Sequence, residues 1–416
     1  MTTSTAAAPR SRQRPQNPFR VLLQHRNFRL YWLGQTGSQI GTWVQAVARG
    51  WLALQLSNSA FVVAFVGFAG SIPVLVLTLY AGALADRYDK LRLVRITQSL
   101  FLIQGVVLWW FVWSGHITIA WLVALSLANG SVNAFDIPSR QALIVELVGK
   151  EDLVNAIALN SSGFNLARVI GPAIGGVLIK VVGLAWCFAL DAVSYLAVLI
   201  GLFMIVLPPL AAAAAAVRPL EGIRQGITYM RETRVVAQLM RLVAVVSVFS
   251  VPYLVLMPVE ARNVLHRGAG GYGALLTSVG VGAFLGALAL AGVGQNIPRG
   301  RVFAWSTCTF AALLIVFSFI RTIWLAIPVL VLVGLSMIVT TALANALIQT
   351  EVPDALRGRI MAAYAFVFVG MAPLGYLLLG FMAKLANVSV AIALGAAVTL
   401  LFALWEFGTH PEVRML

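Results

Sequence analysis

Apolar runs near or above about 18 residues, the length a helix needs to cross hydrocarbon, recur from one end of the sequence to the other. Lipid offers a backbone no hydrogen bonds, so each run must satisfy its own polar groups, which a helix does. The runs fall near 28–55, 60–84, 95–114, 118–140, 156–180 and 186–207. A second set falls near 236–261, 272–294, 302–320, 323–348, 360–383 and 388–407. The pattern predicts an all-α polytopic membrane protein with twelve transmembrane helices. Composition agrees: 60% of the 416 residues are apolar, 10% are charged, and the mean hydropathy is +0.92. A soluble chain of this length needs far more charge to cover its surface.

The formal net charge of +15 would suit a nucleic-acid partner, but its distribution suits a membrane. With the N-terminus inside, the inner segments hold Arg10, Arg12, Arg14, Arg20, Arg26 and Arg29, then Arg87, Lys90, Arg92, Arg95, Arg140 and Lys150. Arg218, Arg224, Arg231, Arg234, Arg241, Arg299, Arg301, Arg357, Arg359 and Arg414 follow on the same side. The opposite side has only Lys180, Arg262, Arg267, Arg321 and Lys384. Basic residues concentrate in cytoplasmic loops, where they meet anionic headgroups. Both termini are therefore expected in the cytoplasm, with the bilayer as partner and no nucleic acid. Cys187 and Cys308 lie within apolar runs and read as core packing, without a disulfide framework or a metal site.

The runs divide six and six around "PPLAAAAAAVRPLEGIRQGITYMRETR" at 208–234. Leu220, Ile223, Ile227 and Met230 repeat there at helical spacing opposite Arg224 and Arg231, the pattern of an amphipathic helix on the inner face. The expected organisation is a cytoplasmic tail over 1–26, a six-helix bundle over 27–207, a linker over 208–234, a second six-helix bundle over 235–407 and a tail over 408–416. Residues 1–26, Arg-rich and free of acid, read as an orienting tail rather than a transit peptide. The halves echo each other. "QALIVELVGKEDLVNAIAL" after the fourth run is answered by "NALIQTEVPDALRGRIMAA" after the tenth, and "GPAIGG" at 171–176 by "APLG" at 372–375. Two pseudo-symmetric repeats of this kind suit transporters whose halves rock about a central site.

Four runs carry a polar stripe. In the first, Gln35, Ser38, Gln39, Thr42, Gln45 and Arg49 recur at steps of three or four residues, with Ser38 and Gln39 adjacent, which on a helix confines them to an arc of about 120°. In the fourth, Ser126, Asn129, Asn133, Asp136 and Arg140 fall within roughly 80°. The seventh offers Ser250, Tyr253, Met257 and Glu260, and the tenth Thr341, Asn345 and Gln349. Gly171, Pro172, Gly175 and Gly176 in the fifth run read as a close, bendable helix crossing, since small residues let helices approach and Pro172 frees a backbone carbonyl.

Between the second and third runs stands "GALADRYDKLR" at 82–92. It resembles the cytoplasmic signature of the major facilitator superfamily, G-x-L-A-D-R-x-G-R-K, at Gly82, Leu84, Ala85, Asp86 and Arg87, with Lys90 as the basic position. It departs at Asp89, where the family has glycine. "FDIPSRQALIVELVGKEDLVNAIALNSSGFNLARVIGPAIGG" at 135–176 and "PVEARNVLHRGAGGYGALLTSVGVGAFLGA" at 258–287 resemble the enterobactin-exporter-like and macrolide-efflux (transmembrane secretion effector) branch. "GALALAGVGQNIPRGR" at 286–301 keeps the glycine and the trailing arginines of the signature and has lost its acid. The resemblance implies a fold in which spans one, four, seven and ten line a central cavity. It thereby assigns Gln35, Gln39, Thr42, Gln45, Arg49, Asn129, Asn133, Tyr253, Met257, Thr341 and Asn345 to the substrate path. It also implies a charge network in which Asp86, a nearby base (Arg87 or Lys90) and an acid of the fourth helix, Asp136, latch one state.

Charge inside a span costs about 2.5–3.5 kcal/mol on insertion scales, so each such group needs a partner or a wet cavity. Arg49 and Glu260 are expected to pair across the halves when the outer side closes, with headgroup snorkelling as the rival for Arg49. Asp136 and Glu260 are candidate proton carriers; Arg140 and Arg168 are gating candidates. Asp191 reads as a structural pair. The expected function is secondary active, proton-coupled export of an amphipathic small molecule (a drug, macrolide or siderophore) across the bacterial cytoplasmic membrane. Sodium is the other coupling ion the sequence admits, uptake of a nutrient or siderophore is the other direction, and a monomer suffices. No phosphate-cradling glycine loop appears, so ATP is not the drive. An embedded enzyme would need a nucleophile, base and orienting group in one place, and none has credible spacing. A scaffold would have no use for polar stripes, and no cofactor is expected.

Overall fold

The computed structural model describes residues 19–149, 151–207, 233–293 and 297–416, apart from the side chains of residues 79, 83, 85, 86 and 355. Most of the tail over 1–26, nearly all of the linker with its expected amphipathic helix, and the Asp86 side chain lie outside the described residues. The long helices are α1 (Arg26–Ser57), α2 (Ala60–Arg87), α3 (Lys90–Trp113), α4 (Ile119–Val148), α5 (Leu153–Val181) and α6 (Leu184–Phe203). After the linker come α7 (Arg234–Val264), α8 (Ala269–Val293), α9 (Arg299–Phe319), α10 (Ile323–Glu351), α11 (Leu356–Leu385) and α12 (Val388–Thr409). The described residues include no strand.

Ten of these helices are long and apolar enough to cross a membrane. The long helices outside that set are α1 and α4. They are also the helices with the densest polar stripes, so the amides and hydroxyls that lower their hydropathy must be facing something other than hydrocarbon.

Short polar turns join the helices, and their residues explain where helices start. Ser59 accepts from the Val62 N–H, Thr118 from Trp121, and Asn387 from Val390, each satisfying an orphan donor of the first turn. Asp89 does the same for α3, accepting from the Arg92 N–H at 2.7 Å. The residue that departs from the superfamily signature is thus a helix cap. Gly183 holds the α5–α6 turn at φ +93°, a conformation that glycine adopts without strain.

Within the first six helices α2 packs along α4, α1 along α5 and α6, and α3 along α6. In the last six, α8 packs along α10 and α9 along α10 and α12. Across the two sets the main contacts are α5 with α8 and α2 with α11. At the α5–α8 crossing, Gly273 sits so close that an added Cβ would lie 2.6 Å from the Pro172 carbonyl oxygen and 2.8 Å from the Gly176 Cα. Gly171 and Gly175 face the other way, against Trp43 and Val44 of α1. The glycines of "GPAIGG" therefore seat α5 between two neighbours.

The apolar core is distributed unequally along the bundle. Toward the end that carries the Asn58 turn, one continuous cluster draws on both sets of helices, from Val47 and Trp51 through Tyr253 and Leu256 to Tyr272 and Ile392. Toward the end that carries the Asp89 turn, the core is two separate clusters. One is built on Phe28, Tyr31, Val94 and Leu143, the other on Val236, Phe303, Leu347 and Phe407.

Candidate functional site

The stripes of α1 and α4 meet in a cavity of about 350 Å³. From α1 it is lined by Gln35, Ser38, Gln39, Thr42 and Trp43, and from α4 by Asn129, Asn133, Asp136, Ile137 and Arg140. Gln98 and Phe101 of α3, Phe164 of α5 and Tyr195 of α6 complete the wall. Helical periodicity accounts for the meeting: each stripe covers one face, and two such faces side by side enclose polar space.

At the floor, Asp136 is only 1% exposed. Its Oδ1 accepts from Thr97 Oγ1 at 2.7 Å and from Gln98 Nε2 at 2.9 Å, while its Oδ2 lies 2.6 Å from Arg140 Nε. An ion pair with two further donors offsets the desolvation that isolated buried charges suffer. One wall is a relay of amides, with Asn133 Nδ2 donating to Asn129 Oδ1 (3.2 Å) and Asn129 Nδ2 to Gln104 Oε1 (3.3 Å). The opposite wall is aromatic: Phe101 stacks on Tyr195 with centroids 5.2 Å apart, and Trp43 meets Phe164 at 6.1 Å. Thr42 and Tyr195 share a hydrogen bond of 3.2 Å across α1 and α6. The Oε1 atoms of Gln35 and Gln39 are buried with no protein partner among the described residues. Leaving an acceptor in that condition costs about 1–3 kcal/mol, so the pocket is built to receive donors.

The second-half stripes do not join this cavity. Tyr253 and Met257 are fully buried in the shared apolar cluster, Tyr253 edge-on to Phe310. The phenol and thioether are mostly apolar surface, and burial against neighbours outweighs their one polar atom. Thr341 turns back to the Met337 and Ile338 carbonyls, and Asn345 accepts from Gln349 at 2.6 Å. The structure therefore brings together Gln39 and Asn133 and places Tyr253 and Asn345 elsewhere.

The charges also differ from the expected pairing. Arg49 does not meet Glu260; it donates to Gln45 one turn back on α1, the direction in which helical side chains lean. Gln45 is buried and Arg49 half-buried. Glu260 is 0% exposed and accepts from Ser389 Oγ at 3.4 Å, which in turn lies 3.5 Å from Arg321. Ser389 and Arg321 line a second cavity of about 580 Å³ at the Asn58 end, together with Asn263, His266, Lys384 and Asn387. Lys90 meets Glu146 at 3.4 Å rather than Asp136, because Asp136 lies ten residues further from the inner end of α4, about 15 Å along a helix. Arg87 is exposed. Arg168 is half-buried on α5.

The sequence reading missed Thr97, Gln98 and Phe101 on α3 and Tyr195 on α6, and it set Asp191 aside as structural. The signal was present: Thr97, Phe101 and Gln104, and likewise Asp191 and Tyr195, recur at steps of three and four. A stripe rule confined to four chosen helices passes over them.

Residues 17–411 match the family described as transmembrane secretion effectors. The chain belongs to this family of major facilitator superfamily transporters. Among curated relatives of the family, a staphyloferrin A transporter of Staphylococcus aureus is 29% identical, covering 84% of this chain and 87% of its own. The multidrug efflux pump Tap of Mycolicibacterium fortuitum is 25% identical over 83% of this chain and 87% of its own. An enterobactin exporter of Citrobacter koseri is 25% identical over 90% and 88%. Solved structures share the fold. A nucleoside transporter superposes with a TM-score of 0.75 at 11% identity, covering 94% of this chain and 100% of its own. A bacterial homologue of the lysosomal transporter Spinster gives 0.67 at 14% identity, covering 97% of each chain. Like these family members, the chain is a multi-pass membrane transporter and not an enzyme.

Proposed function

We propose that this transporter exports an amphipathic organic molecule across the bacterial cytoplasmic membrane by alternating access, driven by inward proton movement. The observation that carries the reading is the polar cavity between α1 and α4, enclosed by helices that are otherwise surrounded by apolar surface. Its unpartnered glutamine oxygens accept hydroxyl or amine donors, and its stacked aromatics accept a ring. Its volume lies within the range of small-molecule sites. An enterobactin exporter and a multidrug efflux pump among the relatives support export, and a siderophore or a drug is the substrate class this chemistry suits.

With α1 and α4 counted, twelve spans form two six-helix bundles, 27–207 and 235–407, joined by the linker over 208–234. Support for their pseudo-symmetry comes from helix pairing: α2–α4 recurs as α8–α10, and α3–α6 as α9–α12. The basic residues place the Asp89 end and both termini in the cytoplasm. In this reading Asp86, Arg87 and Lys90 act in the inner latch. Asp136 with Arg140 and, separately, Glu260 carry or gate protons, Arg168 gates between the halves, and a monomer is the working unit.

Everted vesicles test the proposal. Proton flux is recorded against a panel of siderophores, macrolides, dyes and lipids, with sodium as the rival ion. At least one compound collapses an imposed pH gradient if the reading holds; a panel without effect overturns it. The staphyloferrin A transporter among the relatives keeps uptake as the competing direction, and paired efflux and uptake assays in intact cells separate the two.

A further inference from the structure

A second buried acid lies on the α1–α6 interface, away from the Asp136 floor. Asp191 is 0% exposed, and neither carboxylate oxygen has a hydrogen-bond partner among the described residues. Its Oδ1 would lie 3.1 Å from a Cβ placed on Gly41, so it faces α1 directly. Across that interface stand two donors left equally short: Gln45 Nε2 and Arg49 Nε are both buried without partners. Gln45 meanwhile holds the Arg49 guanidinium through its oxygen. Arg49 is the charged group that Asp191 senses, yet the two form no ion pair here. A carboxylate buried without donors costs many kcal/mol unless it takes a proton or a cation reaches it. Asp136 already has a cation in Arg140 and donors in Thr97 and Gln98; Asp191 has neither.

Among the described residues the other neighbours leave Arg49 as the competitor. On α6 itself the titratable groups are Tyr195, bonded to Thr42, and Cys187, beside the Gly175 carbonyl of α5. From α3 the approach is made by Gly105, against Ala192. Arg95 of α3 is engaged with the Leu202 and Ile205 carbonyls, some 16 Å along α6. The Asp136–Arg140 pair of α4 is engaged with itself and lines the cavity that Tyr195 also walls.

We infer that Asp191 is a proton-binding site of the transporter, at which a proton and Arg49 alternate as the carboxylate's partner. In the conformation seen here the carboxyl holds the proton and Gln45 holds Arg49. In the alternate one the proton leaves to water, and Arg49 swings from Gln45 to the carboxylate. The inference rests on the proton-coupled reading above, but its test needs no substrate.

Infrared difference spectra between low and high pH, taken on the full chain in lipid vesicles, report protonated carboxyl groups. The titrating carboxyl band disappears in Asp191→Asn and persists in Asp136→Asn. In Arg49→Gln its pH midpoint rises by about one unit or more, because a cation that favoured the charged form is gone. A band unchanged in Asp191→Asn overturns the inference. If that variant does not fold, Arg49→Gln decides: an unmoved midpoint overturns it, and a raised one supports it. A wild-type protein with this band but no proton flux in the vesicle panel strikes the proposed coupling and leaves the proton site standing.

Discussion

The first and last six helices contrast in where they place polarity. In the first six, α1 and α4 turn amides, hydroxyls and an ion pair toward a shared cavity, and their described residues run as uninterrupted α-helix. In the last six, the matching α7 and α10 bury Tyr253 and Met257 in apolar core, and Thr341 closes on its own backbone. The irregularity there is in the main chain. Among the described residues π-turns occur at Val246–Ser250 and Glu260–Val264 in α7 and at Phe366–Gly370 in α11. Such turns recur at functional sites. The contrast teaches that recognition chemistry and backbone irregularity need not be divided evenly between two sets of helices.

The sharpest challenge to this contrast is Asp136→Asn. It leaves Arg140 buried beside a neutral partner, and we expect transport in proteoliposomes to fall by at least about 100-fold, the scale of lost proton-transfer groups. Full activity would remove the ion pair from the mechanism. Next comes the close helix crossing between the sets. Gly176→Val at the α5–α8 crossing sets a side chain against Ala269 and Gly273, and overpacking of that kind costs about 1–3 kcal/mol. Thermal unfolding in detergent should show the loss, and an unchanged transition would mean that the crossing yields freely.

Within the cavity, Gln39→Leu removes an acceptor waiting for a donor, and a hydrogen bond worth about 1–1.5 kcal/mol should weaken substrate binding by roughly tenfold. Binding titration of the first panel compound that moves protons measures it. The smallest effect belongs to the second half. The Tyr253 hydroxyl has no hydrogen-bond partner among the described residues, so Tyr253→Phe should alter stability by less than about 0.5 kcal/mol and leave binding unchanged. A large loss of transport in that variant would place α7 on the substrate path and erase the contrast.

Most of the fold was legible because bilayer length and backbone satisfaction leave little choice: most apolar runs and observed helices agree within about five residues, while α4 runs eight residues past the expected 140 to Val148. The pocket was legible on α1 and α4, where a polar residue at every third or fourth position gives an apolar helix one face that lipid would reject. Side-chain partnerships were not. Whether Arg49 reaches across to Glu260 or back to Gln45 depends on rotamers and local neighbours, and spacing along one helix is silent on both. Asp89 shows the same limit from the other side. As a departure from a signature it marked an uncertain turn, and only the structure revealed it as the cap of α3.

The joined core at the Asn58 end and the divided core at the Asp89 end make this conformation closed on one side largely by adhesion of apolar surface, with Arg262 bonded to Asn58 at its edge. The Trp51–Tyr272 stack, 6.2 Å between centroids, lies in that seam. Apolar adhesion weakens as water is cooled. On the proposed alternating-access reading the balance therefore has a thermal sign: chilling the membrane loosens the sealed mouth and raises the fraction of molecules open at the Asn58 end before any substrate arrives.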